Sequence, residues 1–520
     1  MTVALPDMAV DLSTSFAALQ WVVDIYTLML AALLLGMGSI SDLRGRRRLY
    51  IGGLALFALA SLGSGLARNT DLLIAARGLQ GIGGAAMYAT TIALLSSSYQ
   101  GRDRGIAFGV WGAVSGAAAA AGPILGGLLT ESLSWRWIFF VNLPVSVVAI
   151  VLSRRALTAD RPAASRGLDL RGLVTFTVAA AATTYDLIRA AASGWADGAT
   201  IGLLAVGLAA FAVFALAERR ASTPLLDLSL FRRPAFVGVM VAALLLNAAA
   251  FAYLPYSSLW LQTVLRLSPI MAGLEGAAPL SVAAFVVSAL IGRFLHDTNP
   301  RWIIGGGMAL VGAGALAQAT LTAHSSGLAL LPGLIVAGAG VGLATPTLVS
   351  SAMSAVPSRS GGMAAGAVNT ARQLGFTFGV AVLGSAFAAR VAHVLSAAGT
   401  RLATAPAISG GQAQAALGRV PAARRASFDH LVHAAAASGL NAALLIAAAL
   451  GLAGAVVAIL TMRRPASGAP GSGPRHDAAP QVPGEQEGNP AARLPAVPHA
   501  VPASGPARGA AGPGNPARRP

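Results

Sequence analysis

GSISDLRGRRRLY, residues 38–50, sets Asp42 beside Arg44, Arg46, Arg47 and Arg48 in a chain of 520 residues that is only 11% charged. Apolar sequence flanks it on both sides. The runs at about 20–41 and about 49–67 each approach the ~20 residues that a helix needs to cross ~30 Å of hydrocarbon. A charged turn between two such runs is a loop between membrane spans, and arginine in a short loop marks the cytoplasmic side.

Working outward from this loop, the same criterion finds thirteen stretches, at about 20–41, 49–67, 72–98, 105–130, 137–153, 172–189, 200–217, 235–263, 269–292, 302–323, 326–355, 361–389 and 434–462. Backbone polar groups in lipid must be satisfied within the segment, so the spans are helices, which agrees with a chain that is 55% hydrophobic and contains 61 glycines. The formal charge of +17 comes with 36 basic residues, all of them arginine. They sit in short gaps between apolar runs rather than on one face of a soluble domain, so nucleic acid is not an expected partner. Cysteine is absent, which removes disulfides, thiolate nucleophiles and cysteine-bound metal. Met1 to Leu19 has no basic start, and Asp7 and Asp11 interrupt any signal-like core.

Alternate gaps carry the arginines: 44–48, Arg102 and Arg104, Arg154 to Arg171, Arg219 to Arg233, Arg293 and Arg301, then Arg359. The intervening gaps hold Arg68, Arg136, Arg189 and Arg266, until a loop at about 390–433 long enough to escape the rule. This predicts a cytoplasmic C-terminus in a multi-pass protein of the cell membrane. The tail, 463–520, is rich in Pro, Ala and Gly and reads as a disordered cytoplasmic extension. Thirteen helices then place Met1 outside, although nothing before Gln20 can span a membrane.

Motifs resolve that parity. GSISDLRGRRR resembles the loop signature GxLaDrxGRR of the major facilitator superfamily, with Gly38, Asp42, Gly45, Arg46 and Arg47 in register and Leu43 where arginine is usual. RGLQGIGGA (77–85) is similar to the family's fourth-helix motif, with its intramembrane arginine, and AGPILGG (121–127) to the fifth-helix antiporter motif. SWRWIFFVNLPV (134–145), VNTARQLG (368–375) and QWVVDIYTL (20–28) resemble the fourteen-helix drug:proton antiporters. In that branch an acidic first helix ends in a VALP-like sequence, here Val3 to Pro6, so the chain is expected to begin near the end of helix one. The resemblance implies an all-α polytopic fold of two six-helix bundles with an inserted helix pair, thirteen spans visible of fourteen. The expected divisions are 1–153 for the N-terminal bundle, 154–234 for the linker with its two extra helices, 235–462 for the C-terminal bundle, and 463–520 for the tail. GRFLHDTNPR (292–301), with Asp297 and Arg301, occupies the equivalent loop of the second bundle.

Each ionisable residue within a span costs at least ~2.5–3.5 kcal/mol at the bilayer centre and is a functional candidate. Asp24 and Arg77 lie at similar depth and are expected to pair, the carboxyl exchanging its proton as a cationic drug approaches or leaves. Glu275 is the only acid within the spans of the C-terminal bundle and a second candidate for proton coupling. Arg372 lies nearer mid-membrane with Asn369 and Gln373 as neighbours, where a structural brace competes with a cavity role. Trp21, Tyr26 and Trp111, with Phe251, Tyr253, Tyr256 and Trp260, offer aromatic surface to an organic cation or simply pack. Asp186 and Arg189, three apart at a helix end, read as a solvated pair. Gly109, Gly112, Gly116, Gly122, Pro123, Gly126 and Gly127 make one helix small and bendable, a seam about which the bundles rock. Gly38, Asp42, Gly45 and Arg46 form the expected cytoplasmic latch.

GIGGAA at Gly81 lacks the strand and soluble fold that a dinucleotide fingerprint needs. The histidines show no HExxH pairing, so no metal is expected. The expectation is a monomeric transporter, not an enzyme, that exports hydrophobic, cationic drugs or antibiotics across the bilayer. No cofactor is implied: proton entry supplies ~2.3 kcal/mol per charge per 100 mV, and no GxxxxGK[ST] loop is present. The alternatives are an exporter of an endogenous metabolite or a non-transporting membrane sensor.

Overall fold

A computed structural model describes residues 4, 7–8, 11–14, 16–157, 169–193, 195–221, 224–294, 298–354, 356, 361–399, 408, 417–418 and 420–462. The expected tail, Asp297 and Arg359 lie outside the described residues. Helices occupy each of the thirteen apolar stretches, and no strand occurs among the described residues. The chain is an all-helical polytopic membrane protein.

In chain order the helices are α1 (Phe16–Arg44), α2 (Arg46–Gly65), α3 (Thr70–Ser98), α4 (Gly101–Ser132), α5 (Trp137–Ala156), α6 (Leu170–Ser193) and α7 (Gly198–Arg220). They continue as α8 (Pro234–Val264), α9 (Ala278–Phe294), α10 (Pro300–Gln318), α11 (Leu331–Ser354), α12 (Gly361–Ala397) and α13 (Arg425–Thr461). Among the described residues, ten helical segments are long and apolar enough to cross a membrane. Leu59, Leu152 and Leu208 point outward at 67%, 59% and 64% exposure, a cost in water that lipid removes.

Local chemistry sets the boundaries. Gly45 separates α1 from α2 at φ +95°, where a side chain would be strained. Asn69 and Asp197 cap α3 and α7 by accepting from the backbone N–H groups of Leu72 and Thr200. Pro255 follows a break after Ala250, so α8 continues as a short helix and then a π-helical turn at Trp260–Val264. Both α12 and α13 run for 37 residues, about 55 Å at 1.5 Å per residue, and therefore project well past the hydrocarbon. Their ends take up residues 390–397 and 425–433 of the long loop expected from the sequence.

α1 packs on α3, α2 on α3, α10 on α11 and α13 on α12. The N-terminal helices meet the C-terminal ones along two seams, α1 with α12 and α4 with α9. The inserted pair α6–α7 is held together by Phe176 against Phe211 and Phe214, and α6 touches both α1 and α12. Trp195, between α6 and α7, donates its indole N–H to Ser385 Oγ on α12 at 2.7 Å.

Candidate functional site

Between the two seams lies a cavity of about 400 Å³. Residues of α1, α3 and α4 line one side and residues of α8, α9, α11 and α12 the other. Tyr26, Trp111, Asn369, Arg372 and Gln373 all line it, so five of the six residues expected at a substrate cavity come together across the bundles. Trp21 does not: it lies about 140° round α1 from Tyr26 and stacks instead on Tyr185 of α6, ring centroids 5.5 Å apart. Of the other aromatic candidates, Phe251 lines the cavity, while Tyr253 and Trp260 are buried in packing and Tyr256 donates its hydroxyl to the Val380 carbonyl.

Arg77 is buried in α3, its guanidinium 4.4 Å from the Tyr26 ring centroid. Its Nε donates to the Val22 carbonyl at 2.9 Å, its Nη1 to Gln80 Oε1, and Gln80 in turn donates to Ser61 Oγ. The expected Asp24–Arg77 pair is not made. Val22 and Tyr26 are one turn apart and face α3, whereas Asp24, two residues from each, projects roughly 160° away around α1. Asp24 is partly buried and forms no hydrogen bond or ion pair among the described residues. It lies only about 60° from Thr27, which lines the cavity.

Glu275 sits on a π-helical turn, Gly273–Ala277, that precedes α9, and its carboxylate lies against Gly327 rather than in the cavity. Asp186 and Arg189 are not a solvated pair. Arg189 bonds to Asp197 at 3.0 Å, and Asp186 is fully buried with neither carboxylate oxygen partnered among the described residues. Arg189 holds the half-buried Asp197 carboxyl below the usual carboxylate range, chiefly by hydrogen bonding.

At the arginine-rich end, Asp42 accepts from Arg46 at 2.9 Å and from the backbone N–H of Met363 at 3.1 Å. Met363 lies in the first turn of α12, where the helix dipole and unpaired N–H groups favour an anion. One carboxylate thus ties the α1–α2 turn to the opposite bundle.

On α4, Gly109 O accepts from Ser288 Oγ at 3.2 Å, and a Cβ added at Gly116 would stand 3.0 Å from the Ser281 carbonyl. These glycines form the close contact with α9. Gly126 and Gly127 are buried, whereas Gly122 is exposed with nothing within 4 Å of an added Cβ. The Pro123 side chain lies outside the described residues. Asn247 and Tyr88 also line the cavity. Asn247 is the one amide in the otherwise apolar stretch Pro234–Ala250 of α8, a signal legible in the sequence.

The family model of the Major Facilitator Superfamily matches residues 1–380. The chain belongs to the major facilitator superfamily. Its relatives include the multidrug resistance protein Stp of Mycobacterium tuberculosis, 35% identical over 396 residues, which are 76% of this chain and 73% of that protein. The tetracenomycin C resistance and export protein of Streptomyces glaucescens is 33% identical over 479 residues, covering 89% and 88%. The puromycin resistance protein of Streptomyces alboniger is 35% identical over 405 residues, covering 77% and 80%. Among solved structures, the human organic anion transporter MFSD10 aligns with a TM-score of 0.56 at 16% identity, over 87% of this chain and 88% of that one, a likeness of fold. In this facilitator fold, the cavity lies where both bundles reach it.

Proposed function

We propose that this facilitator-superfamily chain exports hydrophobic drugs or antibiotics across the cell membrane in exchange for inward-moving protons. The single observation that carries the reading is the inter-bundle cavity, lined from both sides and large enough for a drug-sized molecule. The names of the relatives, which are resistance and export proteins, support the same substrate class.

Asp24 carries the proton. A carboxyl in a membrane span with no fixed counter-ion among the described residues is left to a proton, water or a mobile ligand to answer its charge. It borders the cavity face of α1, so occupancy of the cavity and protonation of Asp24 bear on the same helix. Glu275 is a second candidate on the other bundle. Arg77 is a positioning residue: it fastens α1 to α3 through the Val22 carbonyl and backs the Tyr26 ring that walls the cavity. Asp42 closes the arginine-rich end, which is the cytoplasmic one, while the cavity faces outward. The ionised carboxylate on the first turn of α12 must leave before that end opens. The cavity walls present no carboxylate among the described residues, so the cationic substrate expected from the sequence finds rings there but no fixed countercharge.

Inverted membrane vesicles test the proposal. Acidifying the lumen drives accumulation of an exported dye by wild type, while Asp24→Asn keeps dye binding and loses at least ~90% of the gradient-driven accumulation. Accumulation by Asp24→Asn at the wild-type level, still dependent on the proton gradient, excludes Asp24 as the carrier. Accumulation that ignores the gradient excludes antiport.

A further inference from the structure

Arg77 and Arg372 both lie within membrane helices, and the fold treats them differently. Arg77 is satisfied by the Val22 carbonyl, by Gln80 and by the Tyr26 ring. Arg372, on α12, lines the cavity and forms no hydrogen bond or ion pair among the described residues. Its Nε is shut off from solvent without a partner. The expected brace through Asn369 is not made among the described residues; the Asn369 amide N–H donates instead to the Tyr88 carbonyl at 3.1 Å. Among the described residues, the aromatic face of Trp111 lies 5.8 Å from the guanidinium carbon.

No aspartate or glutamate is among the described residues that line the cavity. A guanidinium cannot discard its proton, and an uncompensated charge in a low-dielectric pocket is expensive. The planar fork of arginine matches a carboxylate in bidentate fashion, and charge-assisted bonds of this kind are about twice as strong as neutral ones. Gln373, one residue along α12, also lines the cavity and has its side-chain amide uncommitted among the described residues. Trp111 and Tyr26 supply flat apolar surface on the facing bundle.

We propose that Arg372 is the anion-binding residue of the cavity, and that the compounds it takes are planar aromatic molecules bearing a carboxylate or an ionised acidic hydroxyl. The acidic group docks on the Arg372 guanidinium, with the Gln373 amide beside it, and the ring system lies against Trp111. Charge neutralisation on binding makes the occupied cavity cheaper to enclose than the empty one, so an acidic substrate favours closure of the bundles around it. The inference rests on reading the cavity as the transport site, but binding and transport are separable.

The probes are fluorescein, a planar aromatic acid, and ethidium, a planar aromatic cation, titrated onto the purified full chain in nanodiscs by fluorescence anisotropy. Wild type binds fluorescein more tightly than ethidium. Arg372→Gln weakens fluorescein at least tenfold and leaves ethidium unchanged or tighter, which also shows that the variant is folded, and Arg372→Lys falls between. Equal fluorescein affinity in wild type and Arg372→Gln overturns the proposal, as does a wild type that binds ethidium alone. If fluorescein binding depends on Arg372 while inverted vesicles accumulate neither dye, the anion site stands and the export reading falls.

Discussion

Asp24 and Arg77 sit at the depth that composition suggests, yet on different sides of the chain's first long helix. The apolar run from Trp21 to Gly38 is hydrophobic nearly all the way round, so its sequence has no polar face to fix the rotation of the helix. Depth is therefore legible from residue count and facing is not. The same holds for Arg372, whose neighbours in sequence suggest a brace and whose Nε has no partner among the described residues. At this scale one ion pair carries a pH prediction. Arg136, just before α5, donates to Asp11, and that bond holds the Asp11 carboxyl below the usual carboxylate range. A depressed value in the folded state contributes stability that is present above the unfolded carboxylate pKa, near 3.9, and disappears as pH falls through the lower folded one. Asp11→Asn thus lowers the unfolding temperature by a degree or so near pH 6 and by progressively less as pH falls below the unfolded carboxylate pKa. Scanning fluorimetry across that range checks it, and an equal loss at both ends contradicts it.

Elements were the most legible level, because a membrane helix announces itself by length. Each of the thirteen apolar runs became a helix. The ends of α12 and α13 went unread because they carry Arg390, His393, Asp429 and His433 outside the bilayer, where apolar content no longer marks helix. Small residues on α4 were legible as a seam, but which of them touch was not. Gly116 lies against the α9 backbone, while Gly122, inside the antiporter motif itself, has open space around it. Gly116→Val forces branched carbons into the Ser281 carbonyl and costs ~1–3 kcal/mol or pushes α4 away from α9. We expect transport to fall at least about fivefold in Gly116→Val and to persist in Gly122→Ala, compared at equal surface expression in a dye-efflux assay. Equal loss in both variants removes the packing explanation.

For the whole molecule, the residues that matter are those where the halves meet. Asp42 reaches the first turn of α12 at one end, α4 presses on α9 along a second line, and the cavity occupies the space between them. Five of the six residues expected at a cavity line this one, because motifs place polar and aromatic side chains at stated depths on helices that border it. The absence of a lining carboxylate among the described residues was not foreseeable, since it depends on how α1 and α9 are turned. A transporter built this way moves a substrate only by breaking one end contact while making the other, and a gradient drives it only if a proton is bound in one state and not in the other. Purified full-length chain in proteoliposomes loaded with a pH-sensitive dye measures this coupling directly. With the membrane potential clamped and no initial pH difference, a downhill flux of exported dye drives protons the opposite way, so dye entering the vesicles raises the internal pH. The shift scales with the flux and vanishes in Asp24→Asn. Dye flux with a constant internal pH in wild type would contradict proton exchange altogether.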